Sequence, residues 1–174
     1  MAITRLNHAV LYVRDAERSA AFYADVLGFR RLPGDLRGAV FMQAPGSTND
    51  HDLGLFSIGD GAGASQAGHR TVGLYHLAWE VETLEDLERI ARELSGAGAL
   101  VGASDHGTTK AIYARDPDGI DFEVSWLVPA ELIDDEAIAA KTHIRPLDIA
   151  KEKARYGAHT RGGVGISVPA PAST

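Results

Sequence analysis

Cysteine is absent from the 174 residues, which excludes a disulfide frame, a thiolate nucleophile and any zinc–thiolate centre. A metal, if held, must be held by histidine and carboxylate. Basic charge is scarce: 17 Lys and Arg stand against 24 Asp and Glu, a net charge of −7. No surface of the size that phosphate backbones need is expected, so nucleic acid is excluded as a partner. No run approaches the ~18–20 apolar residues of a membrane span. The opening MAITRLNHAVLYV reads as a strand rather than a leader. The expectation is a cytoplasmic protein with no membrane partner. What is present, 45% hydrophobic and 24% charged residues, is the balance of one soluble globular domain.

The segment 6–13 is β-rich and alternating, and Asp15 offers an N-cap to a helix carrying Phe22, Tyr23, Val26 and Leu27 that Gly28 ends. Three short β runs follow, Phe29–Leu32, Gly38–Ala44 and His51–Ile58, set apart by Pro- and Gly-containing turns. Residues 59–70, GDGAGASQAGHR, have no periodicity and read as a linker. The pattern then restarts: strand Gly73–Val81, N-cap Thr83, and Leu84, Leu87, Ile90 and Leu94 at helical spacing as far as Gly96. Thr109–Ala114, the turn Asp116-Pro117-Asp118-Gly119 and the strand Ile120–Val128 complete it.

The two halves overlay at an offset of 68, placing Leu6 on Leu74, His8 on His76, Val13 on Val81 and Gly28 on Gly96. This is a duplicated βαβββ unit. The expected fold class is α+β: two tandem βαβββ modules forming one open, curved mixed β-barrel with outer helices. Residues 1–128 form this domain (module one 4–58, linker 59–70, module two 71–128), and 129–174 form a helical extension and flexible tail. Leu132, Ile133, Ile138, Ile144, Leu147 and Ile149 give the extension apolar surface, so it is expected to contact the site or a partner subunit. A homodimer or higher homo-oligomer is the corresponding expectation.

Strand alternation groups the side chains that share a face. His8 points with Leu6, Val10 and Tyr12; His76 with Leu74, Ala78 and Glu80; Glu123 with Asp121, Ser125 and Leu127. Phe122, Val124 and Trp126 take the opposite face and suit packing under helices. The duplication makes His8 and His76 symmetry mates, and Glu123 supplies a third ligand. Two imidazoles and one carboxylate on one side of an ion leave positions open for substrate and O₂, the facial arrangement of non-haem Fe(II) oxygenases. Fe(II) is the expected metal, and Mn(II) or Zn(II) also suits the set. His69, His143 and His159 read as solvated, as do Glu80 and Glu82.

LNHAVLYV, AFYADVLGF, GLYHLAWEV and IYARDPDGIDFEV, in paired βαβββ modules, resemble the vicinal oxygen chelate superfamily of glyoxalases, bleomycin resistance proteins and type I extradiol dioxygenases. The likeness covers residues 4–128 and is nearest to single-domain members of the catechol 2,3-dioxygenase type. It implies metal ligands at His8, His76 and Glu123. It also implies an acid/base at His51, beside the metal without binding it, and substrate hydrogen bonds from His106 and Tyr113. The implied reaction is extradiol cleavage of a small aromatic diol with O₂. Alternatives within the superfamily are a glyoxalase-like lyase or isomerase and a fosfomycin-resistance-type thiol transferase; a third is a non-enzymatic drug-binding protein of the bleomycin type. Glyoxalase-like members use a fourth protein ligand, and subtracting the offset from 123 places Leu55 there, which argues against that branch.

Overall fold

The computed structural model describes residues 3, 5–34, 36–67 and 70–167. It divides into one unit of Met1–Gln66 with Asp116–Ile120 and a second of Ala67–Arg115 with Asp121–Thr174. Each unit carries its own mixed sheet with helices, in keeping with the α+β class. No helix among the described residues is long and apolar enough to cross a membrane.

In the first unit, β1 (Ala9–Val13), α1 (Ala16–Leu27), β2 (Arg30–Arg31), β3 (Ala39–Gln43) and β4 (Leu53–Ser57) build a sheet of order β1-β4-β3-β2. The α1 helix begins where Asp15 accepts from the backbone N–H groups of Glu17 and Arg18. It stops at Gly28, whose φ of 73° is a conformation that costs glycine little. Along β1 the burial alternates: Leu11 and Val13 lie in the core, whereas Val10 and Tyr12 are 52% and 72% exposed. Leu53 and Leu55 of β4 and Tyr23 and Val26 of α1 are buried too, so one face of the sheet packs on the helix. The face begun by His8 is left open.

The Asp116–Ile120 turn belongs to this unit. Asp118, its side chain 6% exposed, accepts from Arg14 at 2.7 Å and Arg18 at 2.9 Å. Asp116 accepts the backbone N–H groups of Asp118 and Ile120, and the Tyr23 hydroxyl at 3.4 Å. Burial raises both carboxyls, but for Asp118 the two arginines outweigh it and hold the group below its usual range, whereas Asp116 stays raised. The signs are opposite. Asp118 adds stability that is present at neutral pH and lost as pH falls through its lowered folded pKa. Asp116 disfavours the folded state while ionised, and relief comes as pH falls through its raised one. Asp118→Asn is therefore expected to cost about 1–2 kcal/mol at pH 7, a penalty that shrinks below the ordinary carboxylate value of about 3.9. Asp116→Asn keeps an acceptor for both N–H groups and should cost less. Thermal unfolding of both variants at neutral and acid pH checks this; equal losses at pH 7 would remove the distinction.

The second unit repeats the motif as β5 (Leu77–Glu80), α2 (Leu84–Gly96), β6 (Leu100–Asp105), β7 (Thr109–Arg115) and β8 (Asp121–Leu127), and adds β9 (Arg145–Pro146). The strand order is β5-β8-β7-β6-β9. Thr83 caps α2 by accepting from the Asp86 N–H, and all four apolar residues spaced along that helix are buried. They pack where Ile112, Ala114, Phe122, Val124 and Trp126 face the helix side of β7 and β8. The opposite face carries the half-exposed Asp121, Glu123 and Tyr113.

After β8 the extension forms a single 3-10 turn (Ala130–Leu132), α3 (Asp135–Ala140) and α4 (Ile149–Tyr156). Both helices are short, with six and eight residues. Leu132, Ile138 and Ile144 remain exposed, and the extension buries Ala137, Ala140, Glu152 and Tyr156 instead. Lys153 ties α4 to Glu85 and Glu88 of α2 at 2.6 and 2.9 Å, and the Tyr156 ring lies 5.6 Å from that of Trp126. The chain then runs back along its own unit: Trp126 Nε1 donates to the Thr160 carbonyl, and Glu80 accepts the Val164 N–H at 3.0 Å. Glu80 and Glu82 are exposed but not free, since Arg161 pairs with Glu82 at 2.8 Å. The end of the tail, from 168 onward, and His69 lie outside the described residues.

Candidate functional site

The second sheet and its β6–β7 turn gather four of the six expected residues. Glu123 lies directly opposite Tyr113 on β7 and Ala78 on β5. His76 stands one residue before β5, two before Ala78, and so shares that face. Its Nε2 is 3.3 Å from Glu123 Oε2, and its ring is 6.2 Å from that of Tyr113. His106, at the turn between β6 and β7, brings Nε2 to 2.9 Å from the Tyr113 hydroxyl. Burial, and then the charge of Glu123, push the Tyr113 phenol above its usual range. His76 and Tyr113 line a cavity of about 370 Å³, together with Tyr75, Ser104 and Arg115.

The first unit brings together the other two. His8 is exposed and stands immediately before β1, matching the place of His76 before β5. The His8 ring lies 4.3 Å from that of His51, and His51 meets Phe41 edge-on at 5.2 Å. Asp52 pins the loop beneath them by accepting from the Ala44 N–H, the Ser47 hydroxyl and the Asn49 amide, all at 2.7–2.8 Å. His51 Nδ1 is 2.9 Å from Asp50 Oδ2. An ionised carboxylate only accepts, so Nδ1 is the donor, and in the neutral imidazole Nε2 is then the nitrogen with the lone pair. Asn7 Oδ1, 2.7 Å from His8 Nδ1, assigns the same tautomer to His8.

These geometries test the donor set. Two ligands about 2.1 Å from one ion stand about 3.0–3.4 Å apart, and the His76–Glu123 separation of 3.3 Å falls within that span. His8 presents an Nε2 lone pair with its Nδ1–H held from behind, the usual condition of a ligating imidazole. Within neither unit, among the described residues, do three His, Asp or Glu side chains gather into a metal-holding group. His143 is exposed and bonded to Thr142, and His159 is exposed, as expected of solvated residues.

The sheet registers correct one inference from the duplication. β1 pairs with β4 as Ala9–Leu53 and Val10–Gly54, whereas β5 pairs with β8 as Leu77–Phe122 and Ala78–Glu123. The equivalent of Glu123 in the first module is therefore Gly54, and Leu55 is a fully buried core residue. The offset drifts from 68 at the first strand to 69 at the last, and a one-residue slip reverses the face. Gly54 has no side chain, and a Cβ there would meet Phe41 and Val10 at 3.4 Å. The first module offers no carboxylate at that place. Asn7 and Asp50 were not legible as orienting groups, because alternation places chain neighbours on opposite faces and both residues act on the histidine that follows them.

Comparison with known proteins agrees with this architecture. Residues 5–124 match the Glyoxalase/Bleomycin resistance protein/Dioxygenase superfamily. The chain is 32% identical over 122 residues to the catechol-2,3-dioxygenase of Bacillus subtilis (strain 168), covering 70% of this chain and 41% of that protein. It thus spans about two fifths of that dioxygenase. A lactoylglutathione lyase of Neisseria meningitidis is 27% identical over 136 residues, with 68% of this chain and 88% of the lyase covered. Among solved structures, a glyoxylase/bleomycin resistance protein/dioxygenase domain from Frankia sp. EAN1pec superposes with a TM-score of 0.60 at 26% identity, covering 72% of this chain and 93% of that one. On the matched residues and the repeated βαβββ sheets, the chain belongs to the Glyoxalase/Bleomycin resistance protein/Dioxygenase superfamily.

Proposed function

We propose that this chain is a metal-dependent extradiol-type dioxygenase that opens a catecholic ring beside its vicinal hydroxyls. The observation that carries the reading is the pairing of His76 with Glu123 at 3.3 Å and of His106 with Tyr113 at 2.9 Å, with His76 and Tyr113 lining one cavity. His76 and Glu123, with His8 from the first module, would hold the divalent ion; Fe(II) is the metal of this reading, with Mn(II) or Zn(II) compatible with the same donors. A bound ion supplies the positive charge that lets a catechol lose protons near neutral pH. His51, whose Nδ1 faces the Asp50 carboxylate, would take such a proton at Nε2 as the neutral imidazole. Tyr113, its phenol pushed up, stays a neutral donor at working pH, and His106 shares its hydroxyl. Both atoms of O₂ enter the product, so no other reductant is needed.

A second reading, a lyase or isomerase of the same superfamily, is favoured by the 88% of the lactoylglutathione lyase that the match covers. Gly54, the first-module equivalent of Glu123, offers no carboxylate, which weighs against a four-ligand site of that kind. The reading places the protein in the cytoplasm as a homo-oligomer. The test is anaerobic Fe(II) loading followed by mono- and bicyclic catechols and O₂. Oxygen uptake with a yellow ring-fission product is expected. Fully loaded protein that consumes no oxygen with any of them would move the lyase or isomerase reading to first place.

A further inference from the structure

The β6–β7 turn that carries His106 is enclosed from three sides by the C-terminal extension. The strand β9 pairs with the end of β6, Pro146 opposite Ser104 and Arg145 opposite Asp105. The helix α3 stands against Gly107: a Cβ there would come within 2.2 Å of the Ala137 carbonyl and 3.0 Å of the Ala140 methyl. Gly107 also has a φ of +77°, so side chains are refused on both counts. From α4, Glu152 reaches Lys110 at 2.9 Å, and Lys110 reaches Asp105 at 2.5 Å. Asp105 accepts the Gly107 N–H at 2.8 Å with the same oxygen that receives Lys110.

Lys110 decides how to read these contacts. Its side chain is 1% exposed, on the helix-facing side of β7, and that of Glu152 is 5% exposed. A cation so buried is costly unless both its partners are held in place. Anchoring the extension alone would not need it, because Lys153 with Glu85 and Glu88 already joins α4 to α2 at the surface. The buried chain of charges runs instead from α4 to the residue before His106 and the N–H of the residue after it.

We propose that the extension positions His106: α3 and β9 fix the turn, and Glu152 acts on it through Lys110 and Asp105. Glu152 and Lys110 are then positioning residues, and the proposal rests on the reading of His106 as a substrate contact. The His106 Nε2 to Tyr113 hydroxyl distance of 2.9 Å is the geometry that this cradle sets.

The test uses the full chain loaded with Zn(II) for histidine side-chain NMR and with Fe(II) for catechol turnover. Glu152→Gln keeps the size of the side chain and removes its charge. It is expected to move the His106 signals and to lower kcat about 10-fold with KM within about twofold, since a small misplacement of a catalytic group falls on kcat. Lys153→Met breaks the surface tie of the same helix, and is expected to lower Tm while leaving the His106 signals and kcat alone. Folded Glu152→Gln protein with unmoved His106 signals would overturn the proposal, whatever its activity. Should that variant not fold, Ala140→Val presses on Gly107 from α3 and carries the same test: moved His106 signals support the proposal, unmoved ones overturn it. Moved signals in protein that turns over no catechol would sustain the positioning and sink the dioxygenase reading instead.

Discussion

Glu123→Ala is expected to strip the protein of its divalent ion while leaving both sheets folded. The side chain lies on the half-exposed face of β8, away from Phe122, Val124 and Trp126, so truncation opens no hole in the core. What it removes is the one carboxylate of the donor set and the partner of His76 Nε2. Two imidazoles alone neutralise none of the ion's charge, and disturbing even an outer-shell partner typically costs 10–100-fold in metal affinity. Loss of a ligand should exceed that, at about 10²-fold or more. Elemental analysis after purification reads the result directly, and far-UV circular dichroism verifies the fold. Undiminished iron, manganese or zinc in a folded variant would remove Glu123 from the ligand set, and the facial-triad reading with it.

Much of this fold is legible in the sequence because local signals and long-range packing agree. Asp15, Gly28 and Thr83 terminate helices through their own side chain or dihedral, and the structure places all three as caps. The repeat of Leu84, Leu87, Ile90 and Leu94 specifies the buried stripe of α2 without reference to the sheet it covers. By contrast no local signal marks β6, LVGASD: it carries Gly102 and Ala103, has little β-branched character, and shifts register between Leu100 and Gly102. Its existence depends on β7 and β9 on either side, which no local pattern reports.

The site shows the same division. The place of His8 and His76 follows from the duplication, since an equal offset puts both one residue before the first strand of a module. At the last strand the same offset misses by one residue, because an insertion between first and last strands moves the equivalence from Leu55 to Gly54. The residues that the extension buries include two alanines, a glutamate and a tyrosine, and Lys110 reads in sequence as an ordinary strand lysine. A buried charge network leaves no periodic trace; it is visible only when both partners are in place.

His51→Phe and His106→Phe separate the dioxygenase reading from its relatives. Neither residue belongs to the donor set, so both variants are expected to keep near-normal metal content. Catechol turnover should fall, by about 10²–10⁴-fold at His51, the range associated with a positioned acid/base. The assignment at His51 rests on its geometry: the Asp50 carboxylate, 2.9 Å from Nδ1, makes Nε2 the acceptor of the neutral ring, whereas phenylalanine preserves the contact with Phe41 and removes that acceptor. At His106 the loss is a hydrogen-bond partner of Tyr113, so a smaller fall is expected, about 10-fold or more. Asp50 gives an intermediate case. Its side chain is 92% exposed, so Asp50→Asn should weaken the orientation of His51 only modestly. O₂ uptake under matched Fe(II) loading measures all three. A lyase, isomerase or thiol transferase assigns these histidines no proton to move, so metal-loaded His51→Phe with undiminished oxygen-dependent turnover would take the acid/base role from His51.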